Sequence, residues 1–157
     1  MILLGTMAVV ELLKPSPDAA FAAWAAQAPR AEMCIASVTE GELLFGAEEL
    51  PEGRRKREYR RRLDRFLGEV LEGRVFPYER TAAAFFAEFA VMRRKAGRTT
   101  KRTDAMTAAT ARARGARLIA TRDFGHFEGC GVSLMNPWDT SGRVPPALRV
   151  LPGGDET

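Results

Sequence analysis

The first fourteen residues, MILLGTMAVVELLK, constrain the fold more than any other stretch. Met1 to Leu4 is a continuous apolar run that stops at Gly5-Thr6, and a second apolar stretch follows at once. A short unbroken run of this kind suits a central parallel strand, because neither of its faces is made to meet water. The next residues predict a helix capped by Thr6, with either Met7, Val10 and Leu13 or Val9, Leu12 and Leu13 turned inward. A strand that passes straight into a helix begins a β-α-β fold, and in open α/β sheets ligands gather at the carboxyl ends of the strands. Position 5 is where chemistry is expected, and a glycine stands there.

The rest of the chain repeats the alternation. Lys14-Pro15-Ser16-Pro17 is a break, after which Ser16 is expected to cap an alanine-rich helix with Asp18 in its first turn. Met33 to Ala36 reads as a second strand, and Ser37-Val38-Thr39-Glu40 as a capping box opening a helix that directs Leu43, Leu44, Ala47 and Leu50 inward. A long basic helix is predicted from Arg54 to about Leu71, then a strand over Val75 to Tyr78. Thr81 to about Ala96 has the spacing of an amphipathic helix carrying Phe85, Phe86, Phe89 and Met92. A further helix spans TDAMTAATARAR, and strands are expected at Leu118–Ala120 and Val132–Met135. Five strands alternating with helices across short loops define a single α/β layer structure with a mainly parallel sheet. Met1–Leu4 and Leu118–Ala120 are expected side by side in its middle.

With 157 residues the chain suits one domain. Residues 1–139 are expected to form it, and the Pro- and Gly-rich stretch 140–157 to be a loose tail. No apolar run reaches the ~18 residues of a membrane span, and no basic segment precedes the first strand, so neither a membrane anchor nor a signal peptide is expected. Cys34 and Cys130 lack CxxC spacing, which points to free thiols and a cytoplasmic setting. The single histidine, His126, argues against a His-based triad or a zinc site and is expected in a surface loop. A net charge of +4 permits a polyanionic partner, and the basic residues cluster over 54–62 and 93–102. Such runs suit RNA phosphates or an acidic partner, and equally a solvated helix face.

Three carboxylates occupy matching places in this outline. Glu42 lies in the helix after the second strand, Asp104 opens a later helix, and Asp123 follows the fourth strand. With parallel strands, all three approach one edge of the sheet. Clustered carboxylates repel unless a cation lies between them or their pKa values rise. Oxygen ligands of this kind select Mg²⁺ or Mn²⁺, ions suited to phosphodiester hydrolysis. Each acid also has a plainer reading. Glu42 completes a capping box begun by Thr39, Asp123 is a turn residue, and any acid near a helix start favours the dipole.

MILLGTM…ELLKP, SVTEGELLFG, TDAMTAATARARGARLIATRD and the closing NPW resemble PIN-domain proteins of the VapC and FitB type, toxin ribonucleases of bacterial toxin–antitoxin pairs. The resemblance runs from about Met1 to Asp139. It implies a parallel five-stranded sheet flanked by helices, an acidic site holding Mg²⁺ or Mn²⁺, an RNA substrate, a homodimer and a VapB- or FitA-like antitoxin. The family's metal-holding and catalytic acids fall on Glu42, Asp104 and Asp123. Thr6 and Arg122 are candidate substrate contacts, and Arg122 equally suits neutralising the acids when no metal is bound. Asn136-Pro137-Trp138 is expected to be structural, and Trp24 and the phenylalanines at 85, 86 and 89 to serve the core or a dimer interface.

The departure lies at the start. Where the family opens with aspartate-threonine-asparagine, this chain has Gly5-Thr6-Met7. The resemblance therefore implies a metal-dependent endoribonuclease whose Mg²⁺ or Mn²⁺ binding is weakened. The competing reading is a binding module that keeps the dimer and the antitoxin but no longer cleaves. A lone DNA binder has little support, since no helix-turn-helix pattern is evident.

Overall fold

The computed structural model describes residues 1–139, and the stretch 140–157 assigned above to a tail lies outside them. Five short strands, β1 (Ile2–Leu4), β2 (Met33–Ala36), β3 (Val75–Phe76), β4 (Leu118–Ala120) and β5 (Ser133–Met135), form one sheet in the order β3-β2-β1-β4-β5. Every pairing is parallel. The first strand is central as expected, with Ile2, Leu3 and Leu4 set against Leu118, Ile119 and Ala120. Pro77 has no N–H for a ladder, and β3 ends just before it.

The continuous apolar runs divide by alternation. Ile2, Leu4, Met33, Ile35, Leu118 and Ala120 join one core with α1 (Thr6–Leu12), α2 (Ala19–Gln27), α3 (Ser37–Glu49) and α4 (Arg54–Arg65). Leu3, Cys34, Ala36 and Ile119 face the other way, against α5 (Arg80–Lys95), α6 (Arg102–Ala113) and the single turn α7 (Phe124–Phe127). On this second face α6 presents Ala105, Ala108 and Ala111, so its backbone lies close to the sheet. Gly97 and Gly115, both at positive φ, end the turns after α5 and α6. Cys34 and Cys130 are free and buried, and burial pushes the Cys34 thiol up to about 11, which leaves it unreactive.

Several helix starts differ from expectation. Thr6 is the first helical residue rather than the cap, and the carbonyl of Gly5 accepts from Ala8 and Val9 instead. The proposed box at Ser37 is not formed, because Ala36 takes the cap position. Asp18, not Ser16, caps α2, its Oδ1 accepting from Ala20 and Phe21. In α1 the inward residues are Ala8, Val9 and Leu13, whereas Met7 is 43% exposed. On α5 the buried stripe runs Ala82, Phe89, Arg93, and Met92 is turned outward. Phe85 lies under the Arg112 guanidinium, and Trp24 packs on Phe21, so these rings already have partners within the chain.

Glu11 is the unexpected polar member of the core, 3% exposed. Its carboxylate accepts from Lys14 Nζ at 2.8 Å and from the Asp18 amide at 2.8 Å, tying the end of α1 to the start of α2. The Lys14 hydrogen bond foremost, then that of Asp18, hold its carboxyl below the ordinary 4.5, and Trp138 adds a smaller pull. A carboxyl depressed in the folded state contributes stability above its unfolded pKa and loses it as pH falls below that value. Glu11→Gln is therefore expected to cost about 2 kcal/mol at neutral pH and to flatten the acid limb of thermal stability. Melting curves between neutral pH and about pH 3 check this, and superimposable acid limbs for the two proteins would contradict it.

Candidate active site

In a parallel sheet with helices as crossovers, the residues after each strand and the first turns of each helix meet at one edge. Gly5 follows β1, Glu42 sits on α3 after β2, Asp104 lies in the first turn of α6, and Asp123 follows β4. The four positions share that edge, as the sequence outline required.

Their side chains group unevenly. His126 Nδ1 stands 2.6 Å from Asp104 Oδ2 and 3.2 Å from Asp123 Oδ2. One donor atom from each of Asp104, Asp123 and His126 lies within 4.8 Å of the other two. Glu42 is outside this triplet, and its Oε2 accepts from the Thr6 hydroxyl at 2.5 Å. It remains close enough to act on Asp104 by charge. Burial raises the Asp104 carboxyl above its usual range, the Glu42 carboxylate adds to this, and the bond to His126 opposes it.

The plainer roles suggested for these acids do not account for their partners. Asp123 occupies the cap position of α7 without a side-chain capping bond. Asp104 pairs with His126, and Glu42 with Thr6 from a different helix. Arg122 is exposed, its guanidinium 5.0 Å from the centre of the Trp138 ring. Trp138 in turn packs on Phe21, and Asn136 Oδ1 accepts from the Trp138 amide, so NPW is structural as expected.

His126 overturns an expectation. It is on α7, a third exposed, between two aspartates rather than free in a loop. Its signal was the spacing of RDFGH: Asp123 and His126 are three apart, hence on one face of a single helical turn.

Arg93 was also missed. It is 3% exposed and, among the described residues, has no carboxylate partner. Its guanidinium donates to Thr100 Oγ1 at 2.8 Å, Thr99 O at 3.0 Å, Glu128 O at 3.3 Å and the carbonyl of Gly125. One cation thus ties the loop that leads to Asp104 to both sides of His126. The spacing Phe86, Phe89, Arg93 placed it on the apolar stripe of α5, and that signal was readable.

At Gly5 the backbone is extended, at φ −70° and ψ 160°, a conformation open to any residue. A Cβ there would stand 3.3 Å from the Ala120 carbonyl oxygen and 3.5 Å from Thr121 Cβ. The nearest contacts of that Cβ are thus Ala120 and Thr121 rather than Met7.

The basic helix is partly neutralised. Arg54 pairs with Glu58, Lys56 with Glu48 and Glu52, Arg60 with Glu48 and Arg65 with Glu69. Arg55, Arg57 and Arg61 form no ion pair among the described residues. Arg62 forms none either and donates to the Leu13 carbonyl, so intrachain pairing accounts for the smaller part of the run 54–62.

A parallel α/β domain with acids gathered at the carboxyl edge of its central strands defines a class of folds that act on ligands at that edge. A PIN domain profile matches residues 2–128. The VapC ribonuclease Y4jK of Sinorhizobium fredii is 34% identical over 88% of this chain and 99% of its own length. Toxin FitB of Neisseria gonorrhoeae is 30% identical over 88% of this chain and 99% of its own. The solved FitAB bound to an IR36 DNA fragment has a TM-score of 0.82 and 28% identity, covering 91% of this chain and 99% of that one. This chain belongs to the PIN domain family, on the side that includes VapC and FitB toxins.

Proposed function

We propose that this protein is a toxin-type endoribonuclease of a toxin–antitoxin pair, with cation binding and cleavage impaired by Gly5. The observation that carries the reading is the convergence of Asp104 and Asp123, with Glu42 beside them, at the strand edge of a PIN domain. Carboxylates at such spacing fit a divalent cation, which would offset the burial and the Glu42 charge that disfavour ionised Asp104.

In this reading Glu42, Asp104 and Asp123 hold Mg²⁺ or Mn²⁺, directly or through water. The bound ion would polarise a phosphoryl oxygen and make water more acidic. Thr6 orients Glu42 through its hydroxyl and stands at the same edge as a substrate contact. Arg122 and the unpaired arginines of α4 supply positive charge toward an RNA backbone. The domain is 1–139, the antitoxin is VapB- or FitA-like, and the site of action is the cytoplasm. Among the described residues no helix is long and apolar enough to cross a membrane. A homodimer belongs to the same reading, and exposed Phe45, Val91, Met92 and Phe124 offer it apolar surface. Light scattering that finds only monomer at tens of micromolar would remove the dimer.

A second reading is favoured by Gly5 itself: a PIN-fold binding module that engages antitoxin or RNA without cutting. Expression in bacteria separates the two. Induced Gly5→Asp is expected to arrest growth and degrade cellular RNA, with relief by co-expression of the product of a small neighbouring reading frame. The unmodified chain is expected to be tolerated. Tolerance of Gly5→Asp with intact RNA would support the binding module.

A further inference from the structure

We propose that His126 is a metal ligand, and that Asp104, Asp123 and His126 make this edge a site for a first-row transition ion in preference to Mg²⁺. The inference rests on the reading of this edge as cation-binding and names the ion class that it takes.

The donors are already spaced for an ion. Adjacent ligands around a cation held at 2.0–2.2 Å stand about 3 Å apart. His126 Nδ1 is 3.2 Å from Asp123 Oδ2 and 2.6 Å from Asp104 Oδ2. The first spacing fits as it stands. The second is a direct hydrogen-bond distance, and admitting an ion between the two requires the pair to open by about half an ångström.

The backbone that carries the imidazole is held in place independently of the acids. Arg93 binds the carbonyls of Gly125 and Glu128, on either side of His126, from a buried position on α5. Neither aspartate is committed to a capping bond at its own helix. The residue is therefore placed beside the acids by the fold.

Ligand type then decides the ion. Mg²⁺ takes oxygen ligands, and an imidazole nitrogen in its shell is a poor substitute. Imidazole with carboxylates suits Zn²⁺ and other transition ions, with affinity rising from Mn²⁺ through Co²⁺. Gly5 adds to the bias by leaving the oxygen set one carboxylate short relative to an aspartate there. An edge poorer in charge and richer in nitrogen holds Mg²⁺ less well and Zn²⁺ or Co²⁺ better.

Because His126 is the only histidine in the sequence, its ring is a direct probe. In the unmodified full chain, Zn²⁺ is expected to shift the imidazole ¹⁵N resonances stoichiometrically, whereas Mg²⁺ at millimolar concentration leaves them in place. Calorimetry is expected to give Zn²⁺ and Co²⁺ an affinity at least about 10-fold above that of Mg²⁺, and His126→Asn is expected to lower Co²⁺ affinity by about 10–100-fold. Unmoved ring resonances on adding Zn²⁺, or Co²⁺ affinity unchanged in a folded His126→Asn protein, would overturn the role of His126. Neither result touches the nuclease reading, which fails separately if Gly5→Asp neither binds a divalent cation nor cleaves RNA.

Discussion

Gly5→Asp is expected to tighten Mg²⁺ binding by at least about 10–100-fold, and to raise RNA cleavage with it. Losing a group that only orients a metal ligand typically costs ~10–100-fold in affinity or activity, so supplying an absent ligand returns no less. The new carboxylate adds a full negative charge to an edge that holds Asp104, Asp123 and Glu42. Water filling the space at Gly5 replaces coordination but not charge. The backbone at this position already suits any residue. Space is the remaining cost. The new Cβ sits 3.3 Å from the Ala120 carbonyl oxygen, so the end of β4 must yield by a few tenths of an ångström. In the metal-free state the added charge lowers stability, and the benefit appears only with the cation. Isothermal titration of both proteins with Mg²⁺ measures the difference, and equal affinities would remove Gly5 as the cause of a weakened site.

Arg93→Ala is expected to be the most damaging single change outside the acids, at about 3 kcal/mol or more. It empties a buried position and leaves the carbonyls of Thr99, Gly125 and Glu128 without their donor. Each hydrogen bond to a charged group contributes ~1.5–3 kcal/mol, and losing several together outweighs what water returns to the freed carbonyls. In a chain of this size that loss lowers the melting temperature by roughly 10 °C. Arg93→Lys is expected to recover little, since one ammonium cannot span the acceptors that a planar guanidinium reaches. Arg93 also positions the site. In the Gly5→Asp background, its loss is expected to weaken cation binding, because α7 no longer presents His126 and Asp123. Glu11→Gln, on the opposite face of the sheet, is expected to lower stability while leaving that affinity unchanged. Melting and titration of the two variants side by side separate positioning from general destabilisation, and equal affinities at equal stability loss would refute it.

The strands were legible because their signal is redundant. ILL, MCIA and LIA are runs too apolar for an exposed face and too short for helices, and their parallel pairing follows from the helices that carry the chain back between strands. Helix starts were less legible, because three adjacent candidates compete at each one. Ser16, Pro17 and Asp18 all suit a helix start, and only the packing of Phe21 into the core decides that Asp18 caps. The shared edge of Glu42, Asp104 and Asp123 followed from topology alone. The internal arrangement did not, because distances of a few ångströms depend on side-chain partners from elements far apart in sequence. Glu42 turns to Thr6 across 36 residues, and Asp104 to His126 across 22. A single histidine reads as incidental in composition, yet placement one turn after Asp123 makes it part of the site.

Cleavage of a generic RNA by the unmodified chain, Gly5→Asp and Gly5→Asp/Asp104→Asn, each with Mg²⁺ and with Mn²⁺, tests most directly whether this is a PIN nuclease weakened at Gly5. The predicted result is activity near background for the unmodified chain, clear cleavage by Gly5→Asp, and return to background in the double variant. Robust cleavage by the unmodified chain, abolished by Asp104→Asn alone, would contradict it by showing that the acids already present suffice.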